Sequence, residues 1–206
     1  MKLTACILIL LLVNGCSKKT DEFGWDAYTS WLAEESNGLY KMKQSKNINI
    51  TATFQPSDFI IYKSLDPDQG YHLQSVDSLR TSLHGSLNFQ ITISAKNPDV
   101  NLLWWGVGSY PDYKQRVNQL SFNAGQMLRL VIDDQESQVL LTHFEGYNEL
   151  SDKIILHVAF ENKNGGLLDS QSKIKLTFED PFWGSGVNHF TYKMEDITNV
   201  PKLTFS

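Results

Sequence analysis

The sequence predicts a mainly β fold of the α+β class: an antiparallel β-sandwich or a curled sheet with two or three short covering helices. Several segments alternate apolar and polar residues with a period of two, the pattern of strands that bury one face. Short clusters of Asp, Asn, Gly and Pro separate these segments, as hairpins require. Helical periodicity is limited to a few short stretches, so we expect helices to cover an edge or a face of the sheet.

The first sixteen residues have the pattern of an export signal. Lys2 precedes an apolar run from Ala5 to Val13, which fits a cleaved signal peptide but is too short for a spanning helix of about 20 residues. The segment 12–16, Leu-Val-Asn-Gly-Cys, resembles a bacterial lipobox, whose cysteine carries a diacylglyceryl group and becomes the first mature residue. We therefore expect a lipoprotein lipidated at Cys16; the alternative is an ordinary secreted protein cut near the same point.

These features divide the chain into three parts. We expect a lipoprotein signal peptide at 1–15, the lipidated cysteine and a tether at 16–24, and a single β-rich globular domain at 25–206. The charged run 18–22 also resembles the export tag of surface lipoproteins of Bacteroidota. The expected location is the cell envelope, lipid-anchored in the outer membrane on its periplasmic side or at the cell surface. The only cysteines are Cys6 and Cys16, so the mature domain has no internal disulfide.

Helical spacing of apolar residues appears in four places. The segment 25–35 places Trp25, Tyr28, Trp31 and Leu32 on one face. A helical turn is expected at 59–65 after the capping segment 55–58, and longer helices at 71–83 and from Tyr110 to Leu120.

Strand periodicity accounts for the rest of the domain. We expect strands at 46–54, 86–94, 127–132, 139–145, 154–161, 173–179 and 187–194, and a short segment at 202–205. Turn-forming residues lie between them at 133–134, 162–166 and 183–186.

The charge distribution argues against two classes of partner. The chain has a formal net charge of −5 and no basic cluster. Nucleic-acid binding and peripheral binding to anionic lipid both depend on clustered Lys and Arg. We therefore expect no nucleic-acid partner and attachment to the membrane through the lipid alone.

Catalytic motifs are missing from the sequence. It contains no Gly-x-Ser-x-Gly, no phosphate-binding loop and no His-Glu-x-x-His, and the mature chain has no free thiol. Ser185 lies between two glycines, which is typical of a turn. We expect a protein that is not an enzyme and that uses no cofactor.

Two sets of polar residues have the chemistry of metal ligands without a tight spacing motif. His143 with Glu145 and His157 with Glu161 could share strand faces and hold zinc if they met, although strand-edge residues facing water show the same pattern. Acidic pairs at 133–134 and 179–180 could bind calcium, although turns are rich in Asp for backbone reasons. We predict no metal site from either set.

Aromatic residues give the best candidate for a binding surface. Four of them lie within ten residues at 104–113, and Phe182, Trp183, Phe190 and Tyr192 lie near Gly-rich turns. Most aromatic rings fill a core, but exposed rings bind protein partners or stack on sugars. The candidate surface consists of Trp104, Trp105, Tyr110, Tyr113 and Trp183.

Several short motifs together resemble one group of proteins. These are Asn37-Gly38-Leu39, the segment 54–58, His143-Phe144-Glu145 and the segment 180–190 with its Gly184-Ser185-Gly186 turn. They resemble a family of uncharacterised Bacteroidota lipoproteins of about this length. The resemblance implies a lipid anchor and an unassigned role, and it carries over no catalytic residue.

We therefore expect an outer-membrane lipoprotein with a non-catalytic β-rich domain that acts as an accessory or partner-binding subunit. One alternative is a surface lipoprotein that binds glycans through its tryptophans. The other is an immunity-type lipoprotein that neutralises a toxin, which a compact acidic domain permits.

Overall fold

The structure of the chain is a computed structural model that describes residues 22–65, 73–146, 153–163 and 171–205. The expected signal peptide, the lipidation site Cys16 and the first part of the tether lie outside the described residues, as do residues 71–72 of the third expected helix.

Within the described ranges the chain forms five short α-helices and eleven strands. The helices are α1 (Trp25–Ala33), α2 (Ser57–Ser64), α3 (Leu73–Leu83), α4 (Tyr110–Phe122) and α5 (Met194–Thr198). The strands are β1 (Glu22–Phe23), β2 (Tyr40–Gln44), β3 (Ile48–Phe54), β4 (Ser86–Ala95), β5 (Leu128–Ile132), β6 (Gln135–Ser137), β7 (Val139–Phe144), β8 (Lys153–Glu161), β9 (Lys173–Asp180), β10 (Gly186–Lys193) and β11 (Lys202–Leu203).

Two antiparallel sheets make up the domain. The five-stranded sheet has the order β2-β3-β4-β8-β7 and the four-stranded sheet the order β10-β9-β5-β6. A separate parallel pair joins β1 to β11, so Glu22 and Phe23, at the end of the expected tether, are paired with Lys202 and Leu203. The predicted mainly β, antiparallel fold class is confirmed.

The hydrophobic core lies between the two sheets, as strand periodicity predicts. Alternate residues of β3 are buried, and the inward residues of both sheets belong to one cluster. Tyr192 on β10 crosses the core: its ring lies 5.2 Å from that of Phe89, and its hydroxyl donates to the carbonyl of Ala52 over 2.8 Å. Burial raises the pKa of Tyr192, because the interior disfavours the phenolate.

The predicted helices and strands are present in the described ranges, and two of the strands that periodicity missed, β2 and β6, share a common cause. Strand β2 reads Tyr-Lys-Met-Lys-Gln and lies at a sheet edge, where lysines discourage pairing with another chain. Strand β6 reads Gln-Glu-Ser. Because few residues of these two strands enter the core, neither shows an apolar alternation. Helix α5 was also missed; its five residues are too few for a helical pattern.

The elements near the two chain termini collect at one end of the sandwich. Helix α2 follows β3 directly, and β11 lies beside α2, where the amide of Leu203 donates to Asp58 over 3.3 Å. Arg80 on α3 donates to both carboxylate oxygens of Asp58, over 2.6 and 3.1 Å. This hydrogen bonding raises the pKa of Arg80. A single carboxylate therefore joins α2, α3 and the C-terminal strand.

The opposite end of the sandwich carries the loop before α4 and the β9–β10 turn. Strand β10 leads from this turn, at Gly186, to Lys193 beside α5. Its eight residues span roughly 25 Å. None of the helices in the described ranges is long and apolar enough to cross a bilayer.

Candidate functional site

The candidate site is built on the loop 101–109 and the first turns of α4. Asn101 starts the loop: its Oδ1 accepts from the amides of Leu103 and Trp104 over 3.0 and 3.4 Å. Ser109 caps α4, accepting from the amide of Asp112 over 3.4 Å and donating to its carboxylate over 2.7 Å. Side chains of these two residue types commonly hold the backbone in such turns.

Arg116, on the inner face of α4, fixes the loop from below. It is only 8% exposed, and its Nη1 donates to the carbonyls of Leu102, Leu103 and Trp105 over 2.8, 3.1 and 2.8 Å. Its guanidinium also lies 4.9 Å from the ring centre of Phe182. Burial lowers the pKa of Arg116, and the charge of Asp180 opposes that effect. Three carbonyls converging on one buried cation hold the loop in place.

The β9–β10 turn supports the same loop from the other side. Asp180 accepts four hydrogen bonds, from the amides of Phe182, Trp183 and Ser185 and from the Ser185 hydroxyl, over 2.7 to 2.8 Å. Trp183 is thereby turned inward, and its indole N–H donates to the carbonyl of Leu102 over 2.9 Å. Trp183 is 5% exposed, so its predicted place on the binding surface is wrong.

Three of the predicted surface residues come together in what we call the aromatic ridge: Trp104, Tyr110 and Tyr113. Trp104 is 45% exposed and Tyr110 is 59% exposed. Trp104 stacks on Tyr113 with ring centres 4.3 Å apart and planes 14° apart. Tyr110 lies nearly parallel to Tyr113, at 5.9 Å and 12°. The ridge is a compact stack on an ordered base.

The geometry of the stack decides which ligands it suits. Trp104 and Tyr113 cover one face of each other, and Lys114 Nζ lies 4.9 Å from the ring centre of Tyr110. One face each of Trp104, Tyr113 and Tyr110 is therefore covered within the ridge. Sugars stack on open aromatic faces, whereas protein partners also engage edges and Tyr hydroxyls.

The fifth predicted surface residue, Trp105, is half-buried and packs against the core. Its carbonyl accepts one of the hydrogen bonds by which Arg116 holds the loop. Phe190 and Tyr192 are buried between the sheets.

The histidines considered as metal ligands do meet across two strands. His143 and His157 are register partners on β7 and β8, with ring centres 6.2 Å apart. Glu145 Oε1 lies 2.7 Å from His157 Nε2. Over the described residues, no group of three or more His, Cys, Asp and Glu side chains is arranged to hold a metal ion.

The acidic pairs considered for calcium lie in turns. Asp133 and Asp134 both have positive φ, 46° and 66°, and form the two-residue turn between β5 and β6. Asp180 is occupied by the turn hydrogen bonds given above, one of which comes from Ser185.

Arg116 is the residue of this site that sequence reasoning missed. It lies three residues after Tyr113 and four before Leu120, within the apolar face expected for this helix. A lone Arg on such a face was the available signal, because a buried cation needs several acceptors around it.

Comparisons of the chain with protein-family models, with curated proteins and with solved structures found no match. The interpretation of the site therefore rests on its geometry.

Proposed function

We propose that the chain is a bacterial outer-membrane lipoprotein, anchored through Cys16, whose domain binds a protein partner through the aromatic ridge and performs no catalysis of its own. The observation that carries this proposal is the exposure of Trp104 on a loop fixed by buried Arg116. Such a protein would work as an accessory subunit at the cell envelope.

Composition and rigidity both support a protein partner. Trp and Tyr dominate the binding energy of protein interfaces, and they lose little conformational entropy when they are already ordered. The rings of the ridge are stacked on one another, and the backbone beneath them is held by Asn101, Ser109 and Arg116. An exposed tryptophan ordered before binding is a suitable anchor for a partner pocket.

The position of the ridge suits a membrane-anchored protein. Only six residue steps separate Cys16 from Glu22 in β1, a reach of at most about 20 Å. The end of the sandwich that holds β1 and β11 would therefore lie close to the bilayer. The ridge lies at the opposite end of the sandwich, whose strand β10 is roughly 25 Å long, and a partner has access to it there.

The ridge gives less support to the glycan alternative, because Trp104 and Tyr113 cover a face of each other's rings and Lys114 covers a face of Tyr110. No feature of the described residues favours the immunity alternative.

The test is affinity purification of the C-terminally tagged full chain from detergent-solubilised membranes of its own host. Trp104→Ala removes the centre of the ridge. Phe122→Ala is the matched control, because Phe122 is also an exposed aromatic residue associated with α4 but outside the ridge. Cys16→Ser gives the unlipidated control.

We expect one stoichiometric protein to copurify with the unaltered chain and with Phe122→Ala, and at least about tenfold less of it with Trp104→Ala. Equal recovery with both variants would reject the ridge as the interface. Equal recovery with Cys16→Ser would show that the interaction does not depend on the anchor.

A further inference from the structure

A cavity separate from the ridge opens at the other end of the molecule, where α1 and α2 meet the outer face of the five-stranded sheet. Its volume is about 230 Å³. The walls are apolar, from Leu32, Phe54 and Phe59, and its polar groups include Thr53, Gln55 and Gln90. Among the residues that the structure describes, every side chain that lines the cavity is uncharged.

The two glutamines are held in place by a chain of hydrogen bonds across the sheet. Gln55 is 8% exposed and donates from Nε2 to Gln90 Oε1 over 2.8 Å. Gln90 in turn donates to the Thr92 hydroxyl over 3.1 Å. The other end of Gln55, Oε1, lies 3.3 Å from His157 Nδ1, and Glu145 holds the far side of that imidazole over 2.7 Å. Both amides are therefore oriented before any ligand arrives.

These contacts leave hydrogen-bonding capacity at the cavity. A primary amide has two N–H groups and two oxygen lone pairs. The bonds from Gln55 to Gln90 and from Gln90 to Thr92 use one N–H of Gln55, and one N–H and one lone pair of Gln90. Each amide retains one donor and one acceptor, and the Thr53 hydroxyl adds a group that can do either.

From this arrangement we infer that the cavity binds a neutral carbohydrate unit of single-ring size. A hydroxyl group both donates and accepts, so a polyhydroxylated ring matches amides and hydroxyls, while its C–H groups pack on Leu32. An ionic ligand would enter a cavity without a counter-charge. A purely apolar ligand would leave the amides unpaired. The volume is below the roughly 300 Å³ at which pockets for drug-sized ligands begin, so the part of the ligand that enters the cavity is no larger than one ring.

This inference involves none of the ridge residues and does not depend on the proposed partner. A glycan bound here would meet amides in a cavity, not the tryptophans that the sequence suggested.

The first test is an NMR titration of the full chain in detergent micelles with glucose, galactose and N-acetylglucosamine as neutral probes. Glucosamine and glucuronate serve as charged counterparts, and cyclohexanol as an apolar ring. We expect at least one neutral sugar to shift the side-chain amide signals of Gln55 and Gln90 in a saturable way. We expect its charged counterpart and cyclohexanol to bind at least about tenfold more weakly, because charge and unpaired amides are both costly here.

The second test uses a matched pair of substitutions on β3. Thr53→Val removes a hydroxyl from the cavity, whereas Thr51→Val removes the same hydroxyl two residues away on the same sheet face and outside the cavity. Valine keeps the β-branched shape, so both strands should form. We expect Thr53→Val to weaken sugar binding by about three- to tenfold, the effect of one hydrogen bond, and Thr51→Val by less than about twofold.

Three results would overturn the inference. One is no saturable shift with any of the three neutral sugars up to about 100 mM, well above the millimolar Kd expected for so small a ligand. Another is tighter binding of cyclohexanol than of every sugar. The third is an equal loss of sugar binding in Thr53→Val and Thr51→Val, which would place the sugar elsewhere.

Discussion

Replacing Arg116 with Met tests the central structural claim about the ridge, that one buried cation fixes its loop. The substitution removes the donor that Nη1 directs at the carbonyls of Leu102, Leu103 and Trp105. It keeps a long, flexible apolar side chain in the same space. Leu102 retains the indole N–H of Trp183 as a donor, so the carbonyls of Leu103 and Trp105 lose the most.

The expected loss of stability follows from the carbonyls of Leu103 and Trp105. Leaving a buried acceptor without its donor costs about 1–3 kcal/mol, and the stacking of a guanidinium on an aromatic ring such as Phe182 contributes about 0.5–2 kcal/mol. Removing a buried charge also removes its desolvation penalty, which offsets part of this loss. We therefore expect Arg116→Met to lower the free energy of unfolding by about 2–4 kcal/mol.

The assay is equilibrium urea unfolding followed by far-UV circular dichroism, with limited proteolysis of the loop 101–109 as a local readout. Arg129→Met is the matched control, because Arg129 is exposed and lies 3.5 Å from Glu136 at the surface. Its effect should be below about 0.5 kcal/mol. If Arg116→Met stays within about 0.5 kcal/mol of this control and the loop resists cleavage as before, the loop is not held by Arg116.

Three further substitutions test other contacts by urea unfolding. Asp58→Asn weakens the contacts that join α2, α3 and β11, so we expect it to lower the free energy of unfolding by about 1–3 kcal/mol. The exposed control Asp99→Asn should lower it by less than about 0.5 kcal/mol, and equal losses in the two variants would contradict the role of Asp58. Asp180→Ala removes the acceptor of four turn hydrogen bonds and should cost about 2–4 kcal/mol; a loss no larger than in the exposed neighbour Glu179→Ala would count against it. Hydrogen bonds from the Ser172 side chain and the Lys173 amide lower the pKa of Asp133. The stability it contributes is therefore present above the unfolded-state pKa of about 3.9 and is lost as pH falls through the lowered folded-state value. Asp133→Asn should be less stable than the unaltered chain at pH 7, and the difference should shrink as pH falls below about 4; a constant difference would contradict the assignment.

The sequence predicted the fold class and most of the elements because their signals are local. Strand β3 buries every second residue, as its alternation of apolar and polar residues requires. The Asp133-Asp134 turn follows from residue types that tolerate positive φ. The sequence also identified Trp104, Tyr110 and Tyr113 as candidates for one surface, since they lie close together along the chain.

The fate of individual aromatic residues could not be predicted in the same way. Trp104 and Trp105 are neighbours, yet one is exposed on the ridge and the other is half-buried. Trp183 is buried because the carbonyl of Leu102, which lies 81 residues away along the chain, accepts its indole N–H. Composition and spacing contain no information about such an acceptor.

Most of the strands, helices and turns could be located from the sequence alone, because each depends on the periodicity and backbone preferences of neighbouring residues. Which polar groups meet depends on the tertiary structure. Gln55 contacts His157, which lies 102 residues away along the chain. Arg116 donates to three carbonyls of the loop on which the ridge is built. Burial makes each such group depend on a specific partner, and the packing of distant strands, helices and loops against one another supplies it.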